Sequence, residues 1–287
     1  MDRFLSIEPS QLKQIVSLGA GSDTRYFRLV SKNPSVRLVY HEFDFPSNTA
    51  AKIAVIQRTP YLLETLKSSS QSDVIISAES TSMITSNYNI HPLDLRTLAG
   101  AYSAPSSSPP ALSNLSGTTP TLLLSEMCLI YLSPVEADRA LRAFASSLIP
   151  VPTPLALVLY EPIRPHDPFG KVMVSNLGRR GIQLKTLDRY GSLMRQRQRL
   201  KATGFKELDG AHGGQGVADI DFIWEMWIDE AEKQRVAGLE MLDELEEWRL
   251  LAQHYCIAWG WRGDAFADAW KDVGGQQDEN DGGFQDP

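Results

Sequence analysis

Gln14-Ile15-Val16-Ser17-Leu18 runs straight into Gly19-Ala20-Gly21-Ser22-Asp23-Thr24. A short apolar run that ends on glycine reads as a buried parallel strand feeding a tight turn. Glycines flanking Ala20 let backbone approach a nucleotide-like ligand where a side chain would stand in the way. Alone this is weak evidence, because any strand-to-helix turn can use a pair of glycines. Thr24 stands where the dinucleotide fingerprint has its third glycine, which argues against a pyrophosphate here. The turn needs support from elsewhere in the chain.

That support comes from acids at later strand ends. Residues 36–45 alternate apolar and polar before Pro46, giving a second strand with an acidic end. Glu42 and Asp44 lie 21 and 23 residues beyond Gly21, the spacing at which a carboxylate accepts ribose hydroxyls. Asp94, with Leu95 beside it, follows a short strand at 87–90. It reads as an adenine contact or, equally simply, as a cap on the next turn. Residues 121–132 form the most apolar stretch, a central strand. Glu126 within it is costly to bury without a partner, so it should face a ligand or the mouth of a pocket. Tyr131 at its end can reach a substrate or simply pack.

The remaining pattern alternates helix and strand. Helices are expected at 47–66 with Ser47 as cap, at 169–180 and at 186–203, with a long acidic helical region at 225–253. Ser133-Pro134-Val135-Glu136 is a capping box and starts a helix over 134–148. Further strands are expected at 73–77, 155–161, from 204 onward, and at 255–261. This order implies one doubly wound α/β sheet with its ligand at the carboxyl ends of the strands. The polar punctuation falls there: Gly19 to Thr24, Glu42, Asp44, Asp94, Glu126 and Glu161. One domain is expected over 1–265, with a Ser/Pro-rich loop at 102–120 and a disordered tail at 266–287.

Composition narrows the function. A 287-residue chain that is 43% hydrophobic can bury one large core. A net charge of -7 argues against general nucleic-acid binding. No run of 18 apolar residues is present, so a membrane span is not expected. Cys128 and Cys256 form no CxxC pair and read as buried thiols of a cytoplasmic protein, with the nucleus as a second compartment. The five histidines have no metal-site spacing, so no metal is expected. There is no G-x-S-x-G elbow. Arg179, Arg180, Lys185, Arg189, Arg195, Arg197, Arg199 and Lys201 form a basic stretch, either a solvated helix face or a guide for an anionic substrate.

Taken in order, Leu18 to Arg25, Phe43-Asp44-Phe45-Pro46, Asp94-Leu95-Arg96 and Ser125 to Tyr131 match a known pattern. So do Tyr160-Glu161-Pro162, Asp167 to Gly170, Asn176 to Arg180, Glu244 to Trp248 and His254-Tyr255-Cys256. Over roughly residues 10–262 the chain resembles the leucine carboxyl methyltransferase family. The resemblance implies a class I S-adenosylmethionine-dependent methyltransferase fold, a seven-stranded, mostly parallel sheet with helices on both faces. It implies a monomer that uses S-adenosyl-L-methionine to methylate the C-terminal leucine of the protein phosphatase 2A catalytic subunit. Gly19, Ala20, Gly21 and Asp23 would lie against the methionine part of the cofactor, and Asp44 would bind the ribose. Asp94 and Leu95 would frame the adenine, and Glu126 would meet the amino group. Tyr131, Tyr160 and Arg179 would face the peptide carboxylate. The family also carries a helical segment ahead of the first strand, with a Lys and an Arg for cofactor and substrate carboxylates. Here the first strand starts at about Gln14, so no residue of this chain is expected to fill those two roles. A cofactor-binding module without catalysis is the alternative that follows. A nicotinamide-dependent oxidoreductase fails on the missing third glycine and on the late strand-helix-strand order.

Overall fold

The computed structural model describes residues 1–70, 72–101, 112–206, 213–239, 245–263, 266, 270 and 272–276. Its strands are β1 (Lys13–Leu18), β2 (Leu38–Asp44), β3 (Ile75–Ile76), β4 (Met83–Ile84), β5 (Tyr88–Pro92), β6 (Thr121–Glu126), β7 (Leu155–Pro162), β8 (Gly213–Asp219) and β9 (Tyr255–Arg262). They form one sheet in the order β3-β4-β5-β2-β1-β6-β7-β9-β8. The pairings from β5 to β7 are parallel, and β9 runs antiparallel to β7 and β8. Seven of the nine strands make the expected sheet. The other two, β3 and β4, are a two-residue antiparallel pair added at its edge.

The helices are α1 (Asp2–Ser6), α2 (Arg25–Lys32), α3 (Pro46–Arg58), α4 (Pro60–Ser69), α5 (Leu95–Ala101), α6 (Pro134–Arg142), α7 (Pro168–Arg179), α8 (Leu187–Tyr190), α9 (Leu193–Thr203), α10 (Ile220–Trp227), α11 (Glu230–Ala237) and α12 (Leu245–Ala252). Successive strand residues point to opposite faces, and the core divides accordingly. Val16, Leu123, Leu155 and Leu157 pack with Leu98, Leu141 and Leu200 from α5, α6 and α9. Ile15, Leu122, Leu124 and Ala156 pack with Phe27, Ile53 and Leu66 from α2, α3 and α4. Both faces are therefore covered, as near-continuous apolar strands require.

Several expectations are corrected. The helix expected over 47–66 is two helices, split at Thr59-Pro60 because proline cannot continue the hydrogen-bond ladder. It starts at Pro46 with Phe45, not Ser47, as its N-cap. The central strand stops at Glu126, where Met127 takes a left-handed φ of 48° and Leu129–Tyr131 forms a tight 3-10 turn. Of the strand start expected at 204–208, residues 207 and 208 lie outside the described residues, Gly204 is the C-cap of α9, and a strand is described at Gly213–Asp219. Its Gly-Gly-Gln-Gly start carries no apolar alternation because the indoles of Trp259 and Trp261 fill that space. A Cβ on Gly214 or Gly216 would stand 2.2 Å from them. The region 225–253 is broken into α10, α11 and α12, with Asp229 capping α11 through Glu232 N at 2.8 Å, and 240–244 lies outside the described residues.

The tail expected to be disordered from 266 onward is docked in its first part. Phe266 stacks on Phe4 at 4.9 Å, and Trp270 meets Trp261 edge-on at 6.1 Å. Gln276 bonds the backbone of Val217 and Asp219 at 2.8 and 2.9 Å. Two large aromatic side chains bury enough apolar surface to hold this segment. Residues 277–287, and 102–111 of the expected loop, lie outside the described residues. The capping box is present as read: Glu136 accepts from Ser133 N at 2.8 Å, and the Ser133 hydroxyl accepts from Glu136 N at 3.3 Å.

Candidate cofactor and acceptor site at the carboxyl edge

The parallel register brings the ends of β1, β2, β5 and β6 to one edge. Leu18 pairs with Phe43 and Ser125, Asp44 with Pro92, and Glu126 with Tyr160. The glycine turn leaves β1 here, with left-handed φ values of 66° at Gly19 and 49° at Gly21. The two glycines differ in what surrounds them. A Cβ on Gly19 would stand 2.5 Å from Cys128 Sγ, so this glycine is demanded by packing. Nothing lies within 4 Å of a Cβ on Gly21. Its bare face meets open space, which is the cradle a closely approaching ligand needs.

Asp44 locks the turn to the second strand. Its Oδ2 accepts from Gly21 N at 2.7 Å, while Oδ1 accepts from Phe45 N at 2.7 Å and Asn48 Nδ2 at 2.8 Å. Of the two acids at ribose spacing, Asp44 is the one at the edge. Glu42 is buried and ion-paired with Lys52 from α3. Burial pushes its carboxyl up to about 7, against the pull of Lys52. Leu93 N bonds Asp44 O at 2.8 Å and so carries Asp94 to the same edge. Asp94 is clasped by Arg96, whose Nη2 lies 2.6 Å from Oδ2. Those hydrogen bonds hold the Asp94 carboxyl below its ordinary range. Leu95 is buried in the core beneath.

Glu126 ends β6 with its side chain half exposed, and it pairs with Arg25 Nη2. Arg25 also lies 3.4 Å from Asp23, whose Oδ1 accepts from Arg25 N at 2.9 Å. Asp23 therefore caps the start of α2 and reaches Glu126 only through Arg25. A cleft of about 370 Å³ opens beside the turn, lined by Gly21, Asp23, Thr24, Asn48 and Lys52 among others. It runs toward α3 and α4, away from Asp94 and Glu126.

The three residues expected at the acceptor carboxylate come from three different elements, the turn after β6, β7 and the end of α7. Tyr160 is half-buried and stacks on Tyr255 at 5.5 Å with an 11° interplanar angle. Burial pushes its hydroxyl up to about 12, so it stays a donor at neutral pH. Tyr131 is 44% exposed in the turn after Glu126. Tyr131 also bears on the Tyr255 hydroxyl, whose proton is held by burial first and then by Tyr131. Arg179 ends α7 on the surface, about 18 Å of helix from the cap at Asp167, and Tyr255 meets the same helix midway, its hydroxyl 3.9 Å from Met173 Sδ. That cap is tied to β9, because Asp167 accepts from Gly170 N at 2.7 Å and lies 2.8 Å from His254 Nε2.

Sequence reasoning missed four participants. Cys128 was read only as core, but it is the surface the turn packs on. Asn48 carries no motif signal of its own, and Tyr255 entered only as part of the matched stretch His254-Tyr255-Cys256, without a role. Arg25 sits within the quoted turn, yet its partner Glu126 is 101 residues away and no spacing rule links them. In the other direction, Glu161 was counted among the edge acids but is fully buried. Arg199 lies 3.7 Å from it, also close to Asp138, and stacks 4.4 Å over Tyr190. Burial raises Glu161 to about 7. At least this member of the basic stretch is core, not a solvated face.

Residues 1–145 match the family model described as Leucine carboxyl methyltransferase. Leucine carboxyl methyltransferase 1 of Aspergillus fumigatus is 51% identical over 96% of this chain and 73% of its own length. The protein of the same name from Emericella nidulans is 54% identical over 93% of this chain and 70% of its own. The chain belongs to the leucine carboxyl methyltransferase family. A solved structure described as a putative methyltransferase from Thermobifida fusca YX is similar in fold, with a TM-score of 0.50 at 16% identity over 91% of this chain and 76% of that one. The sheet is that of a class I methyltransferase, as the resemblance implied. Among the described residues no helix is long and apolar enough to cross a membrane.

Proposed function

We propose that this protein uses S-adenosyl-L-methionine to methyl-esterify the C-terminal leucine carboxylate of the protein phosphatase 2A catalytic subunit. The reading places it in the cytoplasm, shared with the nucleus, as a monomer. One observation carries it: the unobstructed face of Gly21, bonded through its N–H to Asp44 at 2.7 Å, lies at the edge where β6 presents Glu126. An adenosine joined to an amino acid fits that chemistry. Asp44 would accept from the ribose hydroxyls, Asp94 and Leu95 would frame the base, and Glu126 would take the ammonium group.

When bound, the cofactor supplies a methyl group activated on a sulfonium. The acceptor carboxylate is ionised at neutral pH and needs no general base. The work left to the chain is positioning and exclusion of water. Tyr160, kept protonated by burial, can donate to one carboxylate oxygen and leave the other for the methyl carbon. Tyr131 borders the same mouth from the turn after Glu126. Arg179, at the far end of α7, suits contact with a more distant part of the phosphatase tail.

The test is transfer from tritiated cofactor to the phosphatase catalytic subunit and to a variant whose terminal leucine is deleted. Label is expected only on the intact subunit, in a base-labile ester at the last residue. Label retained on the deleted form would contradict the assignment of the acceptor.

A further inference from the structure

Arg25 is the first residue of α2, and its guanidinium crosses from the glycine turn to the end of β6. There it pairs with Glu126, whose side chain is 53% exposed, while its own is 28% exposed. A pair this open contributes little to stability, so holding the fold together does not account for it. A guanidinium has five N–H donors in a rigid fork. The contacts with Glu126 and Asp23 leave donors for another planar anion.

Among the described residues the other cations near this edge face other partners, the exposed Arg28 lying 3.9 Å from Asp23. Arg96 grips Asp94 through three side-chain hydrogen bonds and lies 5.7 Å over the Phe45 ring, at the adenine end. Lys52 turns inward to the buried Glu42. Arg25 is the guanidinium at the Glu126 end.

Glu126 is the residue expected to take the ammonium of the cofactor's amino-acid part. A second cation arriving at a carboxylate already paired with Arg25 is unfavourable unless an anion comes with it. The amino-acid end brings one, because its carboxylate and ammonium share one carbon.

We propose that Arg25 binds the α-carboxylate of the cofactor's methionine part while Glu126 takes the α-ammonium. In the free chain the two side chains hold each other; on binding, each takes the opposite charge of the ligand. The proposal rests on the cofactor reading above.

The experiment compares two ligands by calorimetry on the wild-type chain, Arg25→Gln and Arg25→Lys. S-adenosylhomocysteine carries both charged groups, whereas 5′-methylthioadenosine keeps the adenosine and thioether but has neither. Arg25→Gln is expected to weaken S-adenosylhomocysteine about 10- to 100-fold, the loss of a charge-assisted hydrogen-bond pair. Its affinity for 5′-methylthioadenosine should stay within about twofold of wild type, and Arg25→Lys should recover part of the loss. Equal weakening of both ligands would reduce Arg25 to a structural residue and overturn the proposal, as would unchanged affinity for S-adenosylhomocysteine. A wild-type chain that binds neither ligand would remove the cofactor reading itself, and this proposal with it.

Discussion

Gly19→Val is expected to lower stability by about 3 kcal/mol, combining a left-handed backbone penalty with overpacking. For a chain of this size that is a fall in melting temperature of about 6–12 °C. The backbone term arises because Gly19 has φ 66°, where a β-branched residue is an outlier. The packing term arises because the new Cβ would stand 2.5 Å from Cys128 Sγ and 2.7 Å from its Cβ. Cys128 is tethered because it starts the tight turn whose Leu129 and Ile130 are buried. Gly21→Val is the matched control. It shares the left-handed φ but meets open space, so it should cost only the backbone term of about 1–2 kcal/mol while filling the cradle and abolishing cofactor binding. Thermal unfolding of the two variants separates packing from ligand space. Equal melting temperatures would mean that Cys128 does not constrain the turn.

Asp44→Ala has the second large effect. It removes the acceptor for Gly21 N, Phe45 N and Asn48 Nδ2 together with the expected ribose acceptor. Charge-assisted hydrogen bonds contribute about 1.5–3 kcal/mol each. Loss of the ribose bonds should therefore weaken S-adenosylhomocysteine about 100-fold. Calorimetry gives the number directly. Glu42→Gln is the comparison, because Glu42 also has the ribose spacing but is buried against Lys52. It should lower stability and leave the affinity of the folded fraction nearly unchanged. If Asp44→Ala bound the ligand as wild type does, the ribose assignment would be wrong.

These two residues show what local sequence can reveal. A strand ending in Gly-Ala-Gly and an acid some twenty residues later are short-range signals, and the structure joins them by a single hydrogen bond. The capping box at Ser133 was legible for the same reason, since its partners are three residues apart. β8 was not, because its glycines make sense only once Trp259 and Trp261 lie across them. Those indoles come more than forty residues later in the chain. The pairing of Arg25 with Glu126 and of Glu161 with Arg199 is likewise tertiary. Charge pattern alone put Arg199 on a basic surface and Glu161 at the ligand edge, yet each is buried because of the other. The break at Pro60 was visible in the sequence, but the apolar period across it favoured one long helix.

The proposed cofactor half of the site rests on Gly21, Asp44 and Glu126, and the proposed acceptor half on Tyr160 and Tyr131. A crystal structure of the full chain grown with S-adenosylhomocysteine tests this most directly. The ligand is expected along the carboxyl edge, its ribose on Asp44, its base beside Leu95, its ammonium on Glu126 and its sulfur facing Tyr160. A ligand seated wholly in the cleft between α2, α3 and α4, out of reach of Asp94 and Glu126, would contradict the account.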